Sequence, residues 1–337
     1  MLRIIIFYYE WPSTAGNHAG MAYFARCLKR DLGYKVKLIR TLRRYEHSRH
    51  RLKQLWKNLV VKYIKIGLRP TDIFFFMEYL SPPRASGDHC GIALDMREKG
   101  LKNKVVGLAH LPPKILVEMH GEKYIHSAIG AVDHIVVMGS NLADFFRELG
   151  YDEKVKQTFH YVDTGYYHPL ENTNKNEFVV CIVGSLYRNW DVFREVIKRC
   201  PNIRFEVCLW NESLESMFKE FSHVSLNKRM PEADLLSKMQ RSSVSLSIFD
   251  DTVGSNVIST SLACGLPQVV SDVGAIRDYC SDENAIFCKD VDDFVEALQF
   301  LNENRELCQQ MSANARKKAE KISLDKSIDW YRSLFTS

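Results

Sequence analysis

Val244-Ser245-Leu246-Ser247-Ile248-Phe249 runs into Asp250-Asp251-Thr252-Val253-Gly254-Ser255 and then into Asn256-Val257-Ile258-Ser259-Thr260-Ser261-Leu262-Ala263-Cys264. The first run is short, apolar and bounded by turn residues, which predicts a buried strand. The second predicts a loop. The third predicts a helix, closed by Gly265 and Pro267, two residues that stop helices. Gln268–Ser271 then reads as the next strand. Strand, loop, helix and strand in this order form the crossover unit of a parallel sheet, because parallel neighbours cannot be joined by a tight turn.

The same alternation extends in both directions. Downstream of a polar run, Glu171–Glu177, which reads as a linker, come strand Phe178–Val183, loop Gly184–Asn189 and helix Asp191–Arg199. Strand Arg204–Trp210 and helix Glu212–Glu220 follow, and Val291–Asn302, Arg305–Ile322 and Ser327–Leu334 read as helices. In the first half, strands are expected at Leu2–Tyr9, Val36–Ile39, Asp72–Met77, Val105–Leu108 and His134–Met138. Helices are expected at Met21–Leu32, Leu52–Ile66, Ile115–Ser127 and Leu142–Leu149. The 337 residues exceed one ordinary core. The reading is α/β, with two open parallel-sheet domains.

Composition excludes several classes. No apolar run approaches the roughly 20 residues of a membrane helix, and Leu2–Tyr9, followed by Glu10-Trp11-Pro12, reads as a strand rather than a signal peptide. Nine dispersed cysteines without a CxxC pair point to a reducing compartment and to small buried apolar residues, hence a cytoplasmic placement. The net charge of +5 is unevenly spread: Arg26 to Arg69 holds fifteen Lys/Arg against Asp31 and Glu46, leaving 31 basic and 39 acidic residues elsewhere. Within Leu52–Ile66, apolar residues at helical spacing alternate with Lys53, Lys57, Lys62 and Lys65, after the clusters Arg43-Arg44 and Arg49–Arg51. A basic amphipathic helix packs its apolar face on its own sheet, meets an anionic surface through its basic residues, or does both; the second reading has Arg43–Lys65 touch the inner face of a membrane. Nucleic acid is not expected as a partner, since no stacking aromatics in nucleic-acid motifs accompany the charge.

In an open parallel sheet, ligands bind beyond the carboxyl ends of strands. The Gly254-Ser255-Asn256 turn opens a helix, where unpaired backbone N–H groups and the dipole favour an anion. Gly254, Ser255, Asn256 and Val257 are therefore candidate ligand-binding residues, with Ser255 or Asn256 as the cap. Asp250-Asp251 lacks the spacing of a metal site.

Ser261-Leu262-Ala263-Cys264-Gly265-Leu266-Pro267-Gln268-Val269-Val270-Ser271-Asp272-Val273-Gly274 resembles the stretch following the glutamate-x7-glutamate motif in family 4 glycosyltransferases. Val162-Asp163-Thr164 with His168-Pro169, Val183-Gly184-Ser185-Leu186, and Ala19-Gly20 with Leu28 are similar to further pieces of that family, in order and spacing. The resemblance implies a GT-B fold, two Rossmann-like domains facing a cleft. It implies an acceptor-side domain over 1–168, a donor domain over 172–322, and a helix in 323–337 crossing back to the first domain. It further implies transfer from a nucleotide diphosphate sugar, UDP- or GDP-linked, with retention, no bound metal and no separate cofactor. A glycan or lipid-linked molecule is the expected acceptor.

The sequence departs from the family at both glutamates, which fall at Thr252 and Thr260. Asp251 or Asp250 is the expected stand-in for the first, and Thr260 or Ser259 for the ribose contact. The pyrophosphate arginine falls at Ser185, leaving Arg188 as the nearest cation, with Arg229 and Lys228 as others. Catalytic roles are thus expected of His110, Arg188 and Asp251. His110 lies just past a strand and before Pro112-Pro113, where the family places a histidine against the transferred sugar. Gly16, Gly20 and Gly184 join the donor-binding set. Glu78, at another strand end, reads as a solvated turn residue. The missing glutamates also fit a partner protein that binds sugar nucleotides without transferring them. An oxidoreductase is disfavoured by the absence of a G-x-G-x-x-G fingerprint.

Overall fold

The computed structural model describes residues 2–41, 67–82, 87–170, 177–184, 187–209 and 212–337. The basic helix expected at Leu52–Ile66, the neighbouring arginine clusters and most of the polar run at Glu171–Glu177 lie outside these residues. The chain divides into two compact units: Met1–Phe159 with Ser327–Ser337, and His160–Lys326.

The first unit holds β1 (Arg3–Tyr8), β2 (Lys35–Arg40), β3 (Ile73–Phe76), β4 (Val105–Ala109), β5 (His134–Val137) and β6 (Val155–Gln157). They form one sheet in the order β2-β1-β3-β4-β5-β6, every pairing parallel. The Ile73-Phe74-Phe75-Phe76 run is buried on both faces, which is why it reads as unbroken apolar sequence rather than alternation. The strand order reverses between β1 and β3, which makes that junction the topological switch point. The single helix expected over Ile115–Ser127 is two, Pro113–His120 and Glu122–Gly130, separated by Gly121 at φ 71°. A residue in the left-handed region cannot continue a right-handed helix, and glycine adopts it without strain. Helix His89–Glu98, not foreseen, is capped by the Asp88 carboxylate, which accepts the Gly91 N–H at 3.0 Å.

The second unit holds β7 (Val179–Val183), β8 (Arg204–Leu209), β9 (Val224–Lys228), β10 (Val244–Ser247), β11 (Gln268–Ser271) and β12 (Ala285–Cys288), in the order β12-β11-β10-β7-β8-β9. All neighbours are again parallel, and the switch point lies between β7 and β10. Helix Trp190–Arg199 buries Phe193, Val196 and Ile197 in a core shared with Leu298 and Leu301 of helix Val291–Glu303. The helix expected at Glu212–Glu220 is a short 3-10 helix, Glu212–Met217.

Helix Leu324–Thr336 begins in the second unit and ends in the first. There the Tyr331 ring packs 5.4 Å from Phe24 and 5.2 Å from Phe75, with Phe335 5.5 Å from Phe75. The Arg332 guanidinium donates to the carbonyls of Leu32 and Asp31, and Lys104 Nζ to that of Leu334. Among the described residues no helix is long and apolar enough to cross a membrane.

Candidate active site

In the second unit the candidate residues collect at the β7–β10 switch point. Gly184 follows β7 at φ 86°, and Arg188, four residues on, forms an antiparallel bridge with Phe249, just past β10. The guanidinium carbon of Arg188 lies 4.5 Å from the centre of the Phe249 ring. Arg188 is 7% exposed, and its Nε and Nη1 have no hydrogen-bond partner among the described residues. Burial pushes its pKa down to about 9, so it remains a cation at neutral pH, held by a ring face rather than by a carboxylate. Arg188 is thus no exposed loop arginine. Its strand-end neighbour Phe249 folds over it.

The helix beyond β10 runs Asn256–Ala263. Its cap is Ser255, whose Oγ accepts from the N–H groups of Val257 at 3.1 Å and Ile258 at 3.5 Å. Gly184 joins the pieces: a Cβ there would stand 3.4 Å from Val257 Cγ2 and 3.5 Å from Arg188 Nη2. The cation and the helix start therefore flank one glycine.

Gly254 serves a purpose the sequence did not reveal. It sits at φ 93°, and a Cβ would fall 2.3 Å from the Tyr279 ring, so the space left by the absent side chain is filled by an aromatic. The Tyr279 hydroxyl in turn accepts the His160 N–H at 2.8 Å. Asp251 Oδ1 accepts the Thr252 N–H at 2.7 Å and lies against Gly274, which pins the turn. Thr260 Oγ1 donates to the Asn256 carbonyl at 2.7 Å, the residue one turn back. The Ser259 hydroxyl points to the carbonyls of His160 and Ser255. Both hydroxyl protons at the expected ribose position are thus committed within the protein.

In the first unit, Gly16 is exposed at φ 82°, while Gly20 precedes helix Met21–Asp31, with a Cβ there only 2.7 Å from the Thr14 carbonyl oxygen. The chemistry concentrates at the β1–β3 switch point. Glu78, two residues beyond β3, is 1% exposed. Its Oε1 accepts from Trp11 Nε1 at 2.9 Å, its Oε2 from Ser81 Oγ at 2.9 Å, and Oε2 stands 3.5 Å from His110 Nε2. Burial pushes the Glu78 carboxyl up, opposed by His110 and by the two donors. The reading of Glu78 as a solvated turn residue is therefore overturned. Trp11, which arrives from beyond β1, covers it.

Beneath this pair lies His89, also buried. The Glu78 N–H donates to its Nδ1 at 3.1 Å, so its own proton sits on Nε2, 3.0 Å from Thr41 Oγ1. Thr41 passes the chain of bonds to the Tyr8 carbonyl at 3.1 Å. Burial lowers the His89 pKa to about 3, which leaves it a neutral brace joining the ends of β1, β2 and β3. The sequence marked Glu78 only as a strand-end polar residue and did not mark His89, and a polar residue beside an apolar run was the available signal.

Comparisons with known proteins place the fold. Residues 169–322 match the family described as glycosyl transferase-like. The whole chain superposes on sucrose-phosphate synthase from Thermosynechococcus elongatus, with TM-score 0.78, 14% identity and 100% of both chains covered. It also superposes on Anabaena HepE in complex with UDP-glucose, with TM-score 0.72, 12% identity and 98% of each chain covered. The apo lipopolysaccharide outer core galactosyltransferase WaaB gives TM-score 0.71 at 11% identity, with 100% of both chains covered. The chain has the GT-B fold.

No curated protein sequence is similar enough to count as a relative. At these low identities the GT-B architecture is what the superpositions share, while the glycosyl transferase-like match belongs to the second unit, where Gly184, Arg188 and the Asn256–Ala263 helix lie. Both findings agree with the family resemblance drawn from Ser261–Gly274.

Proposed function

We propose that this GT-B chain is a glycosyltransferase that moves a hexosyl group from a UDP- or GDP-sugar to a glycan or lipid-linked acceptor, with retention and without a bound metal. The observation that carries this reading is Arg188: a buried cation without an anionic partner among the described residues, beside a helix start. Burying an uncompensated charge is costly. A diphosphate there would repay that cost and place its negative charge on the guanidinium and the helix dipole. As the sugar leaves, charge grows on the diphosphate, and preorganised donors stabilise that change most. The UDP-glucose bound to HepE and the galactosyltransferase name of WaaB support a nucleotide-hexose donor. His110 is assigned a hydrogen bond to a hydroxyl of the reacting sugar, and Asp251 the shape of the turn. The segment Arg43–Lys65 is assigned an anionic membrane surface on the cytoplasmic side, at about 1 kcal/mol per nearby basic residue.

The test is thermal unfolding with UDP, GDP and NAD. UDP or GDP at 100 times its Kd raises stability by about 2.7 kcal/mol, and NAD does nothing. If neither diphosphate moves the transition, the reading fails. A second reading, binding without transfer, is favoured by the threonines at 252 and 260 and by the committed Thr260 hydroxyl. Nucleotide release from a UDP-hexose that disappears in His110→Ala and Arg188→Ala decides for transfer. Binding without release decides for the partner protein.

A further inference from the structure

We propose that Glu78 is a positioning residue for His110, and that the two side chains hold one proton between them as a unit. The role this gives the pair at a reacting sugar rests on the transferase reading above, but the pairing itself does not. Glu78 lies at the β1–β3 switch point, and its two oxygens meet two neutral donors, Trp11 Nε1 and Ser81 Oγ, and the His110 ring. Among the described residues His110 is the single ionisable side chain whose charge acts on it. Tyr79 and Cys90, close by, are buried and pushed up by burial, so they stay neutral. His89, which meets the Glu78 backbone, is neutral above about pH 3.

Such a carboxylate cannot lose its proton to water without cost, and its neutral donors do not fully offset a charge. An imidazolium at 3.5 Å does, so either both groups are charged or both are neutral. In each case a proton sits between Nε2 and Oε2, which sets the orientation of the ring.

The local backbone is built to keep Glu78 in place. Leu80, two residues on, is held in the left-handed region at φ 54°, with its N–H on Cys90 Sγ at 3.1 Å and its carbonyl bound to His120 Nε2 at 3.0 Å. A non-glycine residue persists there only where its surroundings over-determine it. Between them, Tyr79 lies across β4 where Gly107 leaves room, a Cβ there standing 2.6 Å from the ring, and its hydroxyl donates to the Ala128 carbonyl at 2.7 Å. The turn from Glu78 to Leu80 is thus fixed on three sides before any ligand arrives.

The test follows both nuclei by NMR in the intact chain: the Glu78 side-chain carbonyl carbon and the His110 ring nitrogens. The expected result is a shared titration, the two signals moving at common midpoints. In Glu78→Gln, which keeps the shape and an acceptor for Trp11, the His110 ring-nitrogen signals no longer follow their wild-type course. The proposal is overturned if the wild-type signals titrate independently, an outcome that needs no variant to fold. It is overturned equally if Glu78→Gln leaves the His110 midpoint in place. In the transferase assay, Glu78→Gln lowers kcat about tenfold with the donor KM within twofold, and moves the acid limb of the pH profile with the NMR midpoint. A purely structural role would change thermal unfolding and leave that limb where it was. A wild-type chain without turnover sinks the transferase reading, whereas the NMR titration decides the pairing in either event.

Discussion

The carboxyl edges of the two sheets solve opposite electrostatic problems at their switch points. At the β1–β3 junction a buried carboxylate meets two donors and an imidazole, and the charge is settled within the protein. At the β7–β10 junction a buried guanidinium meets an aromatic face, and its charge is left unsettled among the described residues. The carboxylate at the first has its partners within the protein, whereas the guanidinium at the second has two nitrogens without a hydrogen-bond partner among the described residues. The difference teaches that one parallel-sheet plan can bury a partnered carboxylate at one switch point and an uncompensated guanidinium at another, depending on which residue follows the strand.

The largest expected effect tests the frame of the open edge. Gly254→Ala drives a methyl into the Tyr279 ring at a φ of 93°, combining overpacking with backbone strain. A loss of about 3 kcal/mol or more is expected in denaturant unfolding. A loss under about 1 kcal/mol would mean that the turn is pliable.

Next comes Arg188→Met, which swaps the uncompensated cation for an apolar chain of similar length. UDP or GDP affinity measured by calorimetry should fall about 100-fold, or about 2.7 kcal/mol, while the ligand-free protein gains about 1–2 kcal/mol. Loss of both affinity and stability would show that the edge was closed after all.

His89 sharpens the comparison from the closed side. Its folded pKa of about 3 lies below the ordinary value of 6.5. Above pH 6.5 both states are neutral and its full contribution is present. As pH falls from 6.5 toward 3, the unfolded chain takes up a proton that the folded one refuses, so stability drops by up to about 1.4 kcal/mol per pH unit. His89→Gln should flatten the urea stability profile over that window relative to wild type. Identical slopes would remove His89 from the brace.

The smallest effect belongs to Thr260→Val. Because the Thr260 hydroxyl proton already serves the Asn256 carbonyl, nucleotide affinity should change by less than about tenfold, or about 1.4 kcal/mol. A larger drop would restore Thr260 as the ribose contact.

The parallel sheets were legible because buried strands such as Ile73–Phe76 and Val179–Val183 are written as continuous apolar runs. The edge strand Val224–Lys228, in which Ser225 and Asn227 interrupt the apolar residues and Lys228 ends it, is no continuous apolar run and went unread. Site positions were legible as strand ends, but their environments were not. Arg188 is buried by Phe249 and Glu78 by Trp11, partners distant in the chain. The Gly254 turn was read as room for a ligand, and Tyr279, equally remote in sequence, takes that room. Local pattern tells where a side chain starts. Long-range packing decides which water it loses.

The Leu324–Thr336 helix has a consequence for synthesis. Phe24 and Phe75 wait for Tyr331 and Phe335, which leave the ribosome only after the whole of His160–Lys326 has been made. At about 5–20 residues per second that delay is on the order of ten seconds or more. Through it, the nascent amino-terminal body carries an uncovered oily patch, a natural target for chaperones, and it becomes complete last although it was translated first.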